Sequence, residues 1–130
     1  MFRLVKRLNG NTHCENVKLK VGVPFDIRIG DALSCVDGVI EPPAVASSPD
    51  YISMLDLQKA SSSYIDCMVV TEDMVFLVEY QGATPPVMGM TVGIANNGNR
   101  RDYVSFNANG KGTIIGISDN KELVYVVFRK

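Results

Sequence analysis

Hydrophobic and polar residues alternate in short segments along most of this chain. Phe25, Ile27 and Ile29 alternate with Asp26 and Arg28, and a period of two is typical of a strand with one buried face. Other short apolar segments predict strands at residues 32–36, 39–41, 51–55, 64–71, 74–80, 89–95, 103–106, 113–118 and 122–129. No segment keeps a helical period over three turns, so the pattern predicts a mainly-β chain without βαβ units.

Turn residues separate the predicted strands. Asp37-Gly38 favours a tight hairpin turn because both residues tolerate a positive φ, and Asp119-Asn120 predicts a hairpin tip between the last two strands. Pro42-Pro43 ends a strand, since proline has no N–H to pair. Residues 57–63 fit either one turn of helix or a loop. Short strands that recur about every 8–12 residues are typical of a sandwich or a barrel.

The first residues of the chain allow two interpretations. Residues 2–8 alternate imperfectly between apolar and basic side chains, and residues 9–16 are polar and rich in turn formers. The segment is either an extended arm that adds to the sheet edge of a neighbour or the first strand of the chain's own barrel. We therefore divide the chain into residues 1–16, an arm or first strand, and residues 17–130, a barrel-like domain.

Length and charge narrow the class of protein. The chain has 130 residues and a formal net charge of −1, which fits one domain without the basic field that nucleic-acid binding requires. No apolar run approaches the roughly 20 residues of a membrane helix. The basic N-terminus lacks the apolar core of a secretory signal, so we expect synthesis in the cytoplasm.

Residues with catalytic or metal-binding chemistry are few. His13 is the single histidine, and we interpret it as an exposed loop residue rather than a general base. Cys14, Cys35 and Cys67 are odd in number and widely spaced, which favours free thiols over disulfides or a structural zinc site. The sequence therefore predicts no catalytic residue, no metal and no cofactor.

Three further features have simple structural interpretations. Residues 110–116 are rich in glycine but fit no phosphate-binding motif and precede a predicted strand. Arg100-Arg101 follows a turn and is interpreted as a solvated basic loop. Asp26, Asp31 and other acidic residues lie near turns, where aspartate commonly accepts hydrogen bonds from the backbone, and none of them is singled out.

Several segments follow one another in a recognisable order: Gly30-Asp31-Ala32-Leu33, Pro49-Asp50-Tyr51-Ile52-Ser53-Met54, Val87-Met88-Gly89-Met90-Thr91-Val92, and a closing Val124-Tyr125-Val126-Val127-Phe128. Across residues 18–130 this arrangement resembles the head decoration (cement) proteins of tailed bacteriophages that infect Gram-positive bacteria. The similarity is a pattern of strands and turns rather than a catalytic signature.

The resemblance implies a single small antiparallel β-barrel or β-tulip-like domain with an N-terminal arm. It implies a homotrimer on the outer surface of the virion capsid, with the major capsid protein as its partner and no enzymatic activity, cofactor, membrane or direct nucleic-acid contact. We hypothesise that Phe2, Arg3, Leu4 and Arg7 contact the capsid or a neighbour. Deleting residues 1–10 is then expected to abolish binding to particles and leave the barrel folded.

Two other functions stay open. A small β-barrel ligand-binding module or enzyme predicts a deep pocket with convergent polar groups and a perturbed acid. A phage tail or baseplate protein predicts the same fold with a different partner.

Overall fold

The computed structural model describes residues 1–8, 14–22, 25–43, 48–54, 64–95 and 100–129. This part of the chain is all-β, as the hydrophobic pattern predicted. Its strands are β1 (Arg3–Arg7), β2 (Asn16–Val21), β3 (Ala32–Val36), β4 (Val39–Glu41), β5 (Tyr51–Ser53), β6 (Tyr64–Val69), β7 (Met74–Tyr80), β8 (Thr91–Ile94), β9 (Tyr103–Phe106), β10 (Gly112–Ile117) and β11 (Leu123–Phe128). Among the described residues, no helix has the length and apolar character needed to cross a membrane.

The strands form two closed five-stranded barrels. In the first, the N-terminal barrel, the order is β2-β4-β3-β5-β6, and β2 closes the ring by pairing with both β6 and β4. In the second, the C-terminal barrel, the order is β7-β11-β10-β8-β9, and a parallel pairing of β9 with β7 closes it. The barrel prediction is confirmed, and each barrel contains one parallel strand pair besides its antiparallel pairs. Closure leaves few unpaired strand edges.

Strand β1 adds to the C-terminal barrel from outside the ring. It pairs antiparallel with residues 74–77 of β7. Further along the same edge of β7, Glu79 and Tyr80 pair with β9. The structure supports the second interpretation of the N-terminal segment, because β1 is a strand of the chain's own sheet. Residues 9–13 lie outside the described residues.

The two barrels share one apolar core. Six buried residues fill the N-terminal barrel: Val21, Ile27, Leu33, Ile40, Ile65 and Cys67. Their neighbours on the same strands, Ala32 and Met68, point out of that barrel and pack with Phe76, Phe128 and other residues of the C-terminal barrel. Successive strand residues point to opposite faces. Both faces of these strands are therefore buried, one inside the barrel and one between the barrels.

One predicted strand is wrong. Residues 25–29 contain only a single bridge residue, Ile27, and the chain turns at Ile29 and Gly30. Gly30 has a φ of 82°, a conformation that favours glycine, and a Cβ at this position would also displace the Met1 side chain. The Phe2 N–H donates to the Gly30 carbonyl, which places the start of the chain against this turn.

The predicted hairpins are confirmed where the structure describes them. Asp37 and Gly38 have φ values of 52° and 82° and connect β3 to β4, while residues 118–122 connect β10 to β11. Residues 112–117 form strand β10 rather than a phosphate-binding loop. The glycine before this strand, Gly110, allows its backbone to approach the backbone of β8 closely. A Cβ on Gly110 would lie 2.2 Å from the Val92 carbonyl oxygen. The ambiguous residues 57–63 lie outside the described residues.

Candidate docking surface

The four residues predicted to contact a neighbour have different positions at the start of the chain. Phe2 is only 3% exposed, and its ring lies 6.0 Å from that of Phe76 and 5.9 Å from that of Phe128, between centroids. Leu4 is half-buried and packs against the same core, whereas Arg3 is exposed on β1. The Phe2 ring is therefore part of the protein's own core. A contact of Arg3 or Leu4 with a capsid or neighbour stays a prediction.

Arg7 ties the end of β1 to the turn before β7. Its Nε donates to Asp73 Oδ2 at 2.8 Å and its Nη2 to Asp73 Oδ1 at 3.1 Å. Hydrogen bonds from Arg7 and from the Thr71 hydroxyl lower the pKa of Asp73 to about 2. The Leu8 N–H also donates to the Asp73 carbonyl at 2.7 Å. The guanidinium of Arg7 thus holds the protein's own first strand in place.

The outer face of β1, β7, β11 and β10 carries an apolar groove. It has a volume of about 380 Å³ and is lined by Val5, Lys6, Val75, Ile115, Gly116 and Tyr125. Val75 forms the floor and is only 1% exposed, whereas Val5 is 47% and Ile115 37% exposed. The exposed side chains of Val5 and Ile115 therefore lie together at one groove rather than singly on the surface.

Two β-bulges shape this groove. The register of β1 with β7 shifts between Leu4 and Lys6, and the register of β10 with β11 shifts between Ile114 and Gly116. The extra residues are Val5 and Ile115. A bulge inserts one residue and re-aims its side chain, and here both inserted side chains line the groove. Gly116 leaves room for the Tyr125 ring, whose Cδ2 would lie 2.9 Å from a Cβ at this position.

Two basic residues lie beside the groove. Arg3 and Lys6 are exposed on β1, and neither forms an ion pair with any residue that the structure describes. Two nearby carboxylates already have basic partners, since Asp73 pairs with Arg7 and Glu79 on β7 pairs with Arg100. Arg3 also lines a depression of about 150 Å³ with Met1, Leu77 and Leu123. The outer face is therefore apolar with a positive border.

A second cluster lies where the N-terminal barrel meets β9. Asp31 is 2% exposed, and burial raises its pKa to about 6 even though the Arg28 N–H donates to its carboxylate at 2.9 Å. Arg101 is 5% exposed. Its Nη1 donates to the Asp26 carbonyl at 2.9 Å, and its guanidinium lies 4.8 Å from the centroid of the Phe25 ring.

The interpretation of Arg100-Arg101 as a solvated basic loop is wrong for Arg101, because this side chain is buried between the barrels. The Arg101 carbonyl accepts a hydrogen bond from the Ala32 N–H at 3.0 Å, so the backbone also joins the two barrels. Arg100 is exposed but paired with Glu79 at 2.5 Å and with Asp102 at 3.1 Å. Both arginines hold the fold together.

The cysteines are free thiols, as predicted. Burial raises the pKa of the Cys67 thiol to about 12, so this cysteine is an inert core residue, because the thiolate is the reactive form. Cys14 and Cys35 are half-buried, and His13 lies outside the described residues. Among the residues that are described, no three His, Cys, Asp or Glu side chains lie close enough together to hold a metal ion.

Sequence reasoning missed the groove because bulges depend on strand pairing. One signal was present, since a glycine within a strand often marks a bulge and Gly116 lies in the predicted strand 113–118. Val5 carries no such signal.

Comparison with protein-family models found no match, and comparison with curated protein sequences found none either.

Proposed function

We propose that this protein is a virion structural protein, a decoration or cement protein that binds the outer surface of a tailed-phage head. The observation that carries the proposal is the apolar outer face of β1, β7, β11 and β10 with its positive border of Arg3 and Lys6. It agrees with the sequence resemblance to head decoration proteins. The major capsid protein is the partner that the proposal assigns to this face.

The mechanism is selective binding to the mature shell. A subunit that binds only the mature lattice stabilises that lattice by mass action, and many copies on one particle add avidity to a weak single contact. A trimer on a three-fold position makes the same contact three times. The protein needs a stiff body for this role, and two closed barrels with a shared core supply one.

The alternative of a ligand-binding module or enzyme is less well supported. Such a protein places polar groups around a cavity, whereas apolar side chains such as Ile27, Ile40 and Ile65 fill the N-terminal barrel. The buried acid, Asp31, lies at the junction and accepts a hydrogen bond from the backbone. No observation favours it as a catalytic acid over a structural one.

Binding to purified heads tests the proposal. We expect the protein to co-sediment with mature heads that lack it, to saturate at a fixed number of copies, and to raise the temperature at which those heads release DNA. Procapsids and isolated tails are the controls. Binding to tails alone would support the tail or baseplate alternative, and binding to neither particle would refute a structural role in the virion.

A further inference from the structure

We propose that the groove between the Val5 and Ile115 bulges docks an extended acidic segment of the partner protein, with one apolar side chain inserted into the groove. The inference rests on the proposed function for the identity of the partner, the capsid protein. Its chemistry, an apolar anchor followed by carboxylates, is argued from the groove alone.

The shape of the groove suits one inserted side chain. The walls are Val5 and Ile115, the floor is Val75, and the Tyr125 ring lies over Gly116. Its volume of about 380 Å³ is within the range of about 300–1,000 Å³ that is typical of binding pockets. Apart from the Lys6 ammonium and the Tyr125 hydroxyl, the side chains that line the groove are apolar. An aliphatic or aromatic side chain therefore buries its surface against Val5, Val75 and Ile115.

The basic residues beside the groove favour acidic residues on either side of the inserted side chain. Lys6 lines the groove, and Arg3 lies on the same strand at the edge of the sheet. Neither has an ionic partner in the described part of the chain. Carboxylates next to the anchor would complete these pairs, which favours encounter with an acidic segment over a basic one.

The same charges disfavour a second copy of this chain as the occupant. In a two-fold dimer built on this face, two patches that each carry Arg3 and Lys6 would meet, which brings like charges close together. Basic residues on an edge strand such as β1 also discourage pairing between copies. Both points favour an acidic segment of another protein over a two-fold copy of this chain as the occupant.

Synthetic peptides test the chemistry directly. The probe is a flexible peptide of Gly, Ser and Asp with one central Leu, and its controls replace Leu by Ser or every Asp by Lys. We expect the acidic Leu peptide to shift the amide resonances of Val5, Lys6, Ile115 and Gly116 in the full chain, with an affinity that weakens as salt increases. Both control peptides are expected to bind at least about tenfold more weakly.

Matched variants locate the site. Lys6→Glu is expected to weaken binding of the acidic peptide about tenfold and Ile115→Ser about fivefold, whereas Lys20→Glu and Val36→Ser, changes at exposed residues of the N-terminal barrel, leave it within about twofold. Circular dichroism melts check that each variant is folded. Equal binding of the acidic and basic peptides, shifts confined to other residues, or no shift at millimolar peptide would each overturn the inference.

The two proposals fail differently. If the peptide binds the groove but the protein does not bind heads, the docking chemistry stands and the capsid is the wrong partner. If the protein binds heads and Lys6→Glu does so as tightly as the unchanged chain, the function stands and the groove is not its docking site.

Discussion

Asp31 is buried, although its neighbours in the sequence predict an exposed turn residue. Its position in a Gly-Asp pair indicates an ordinary turn aspartate, and it does accept a hydrogen bond from the Arg28 N–H. Its pKa is nevertheless raised from 3.8 to about 6, mainly by burial at the junction; the nearby Asp102 acts in the same direction, whereas the hydrogen bond from the Arg28 N–H and the charges of Arg101 and Arg28 act against it. The carboxylate is therefore a source of pH-dependent stability.

The free energy of unfolding is expected to depend on the protonation of Asp31. Its pKa is higher in the folded state, so this group stabilises the fold fully below about pH 4 and loses that contribution as the pH rises through about 6. From about pH 5 to about pH 7.5 the loss is on the order of 1 kcal/mol. Asp31→Asn keeps an oxygen acceptor and removes the charge, so its urea denaturation should depend much less on pH.

Asp37→Asn is the matched control, because Asp37 is exposed in a hairpin turn with a φ of 52° that asparagine also adopts. It should keep the pH dependence of the unchanged chain. Asp73, with a pKa of about 2, stays ionised in this range and adds little slope. An unchanged pH dependence in Asp31→Asn would show that burial of Asp31 does not control the effect.

At the scale of elements, β1 is anchored to the C-terminal barrel along the β7 edge. It pairs with β7 along residues 74–77, its first neighbour Phe2 packs among the core aromatics, and its last residue Arg7 pairs with Asp73. The expectation that residues 1–10 can be deleted from a folded barrel therefore needs revision. Deleting them exposes the β7 edge and opens a large cavity next to Phe76 and Phe128.

We expect Phe2→Ala to lower the free energy of unfolding by about 3–4 kcal/mol, because a buried ring is lost and a cavity remains. Leu8→Ala is the control, since Leu8 is 60% exposed and its truncation should cost less than about 0.5 kcal/mol. Chemical denaturation of both variants measures the difference. Equal stabilities would mean that the N-terminal segment is not anchored in the core.

At the scale of the whole molecule, the shared core couples the two barrels. Ala32, Ile52 and Met68 of the N-terminal barrel pack in the same cluster as Phe76 and Phe128 of the C-terminal barrel. The Arg101 carbonyl and side chain add hydrogen bonds across the junction. Neither barrel buries both faces of its strands without the other.

We therefore expect one cooperative unfolding transition. Urea denaturation followed by far-ultraviolet circular dichroism and by tyrosine fluorescence, the chain having 5 tyrosines and no tryptophan, should give coincident curves, as for a two-state domain. Two separate midpoints would show that the barrels fold independently. Met68→Ala should move both signals together, because Met68 lies in the shared core.

Local features were predictable from the residues. The strands 74–80 and 103–106 and the Asp37-Gly38 hairpin follow from β-branched segments and turn formers, and the structure has them at the predicted residues. The strand predicted at 25–29 is wrong because the chain turns at Ile29 and Gly30, and the Gly30 carbonyl accepts a hydrogen bond from the N–H of Phe2, a residue far away in the chain. Arg101 was misread for the same reason, since its burial comes from Phe25 and Asp26.

The sequence by itself determined the all-β class and the positions of most strands and turns, because these depend on side-chain periodicity and local backbone preference. Only the tertiary structure decided that the strands close into two barrels, that Phe2 and Arg101 are buried, that Asp31 has a raised pKa, and that Val5 and Ile115 form one groove. Those properties arise from strand pairing and from packing between residues distant in the chain, which no local pattern contains.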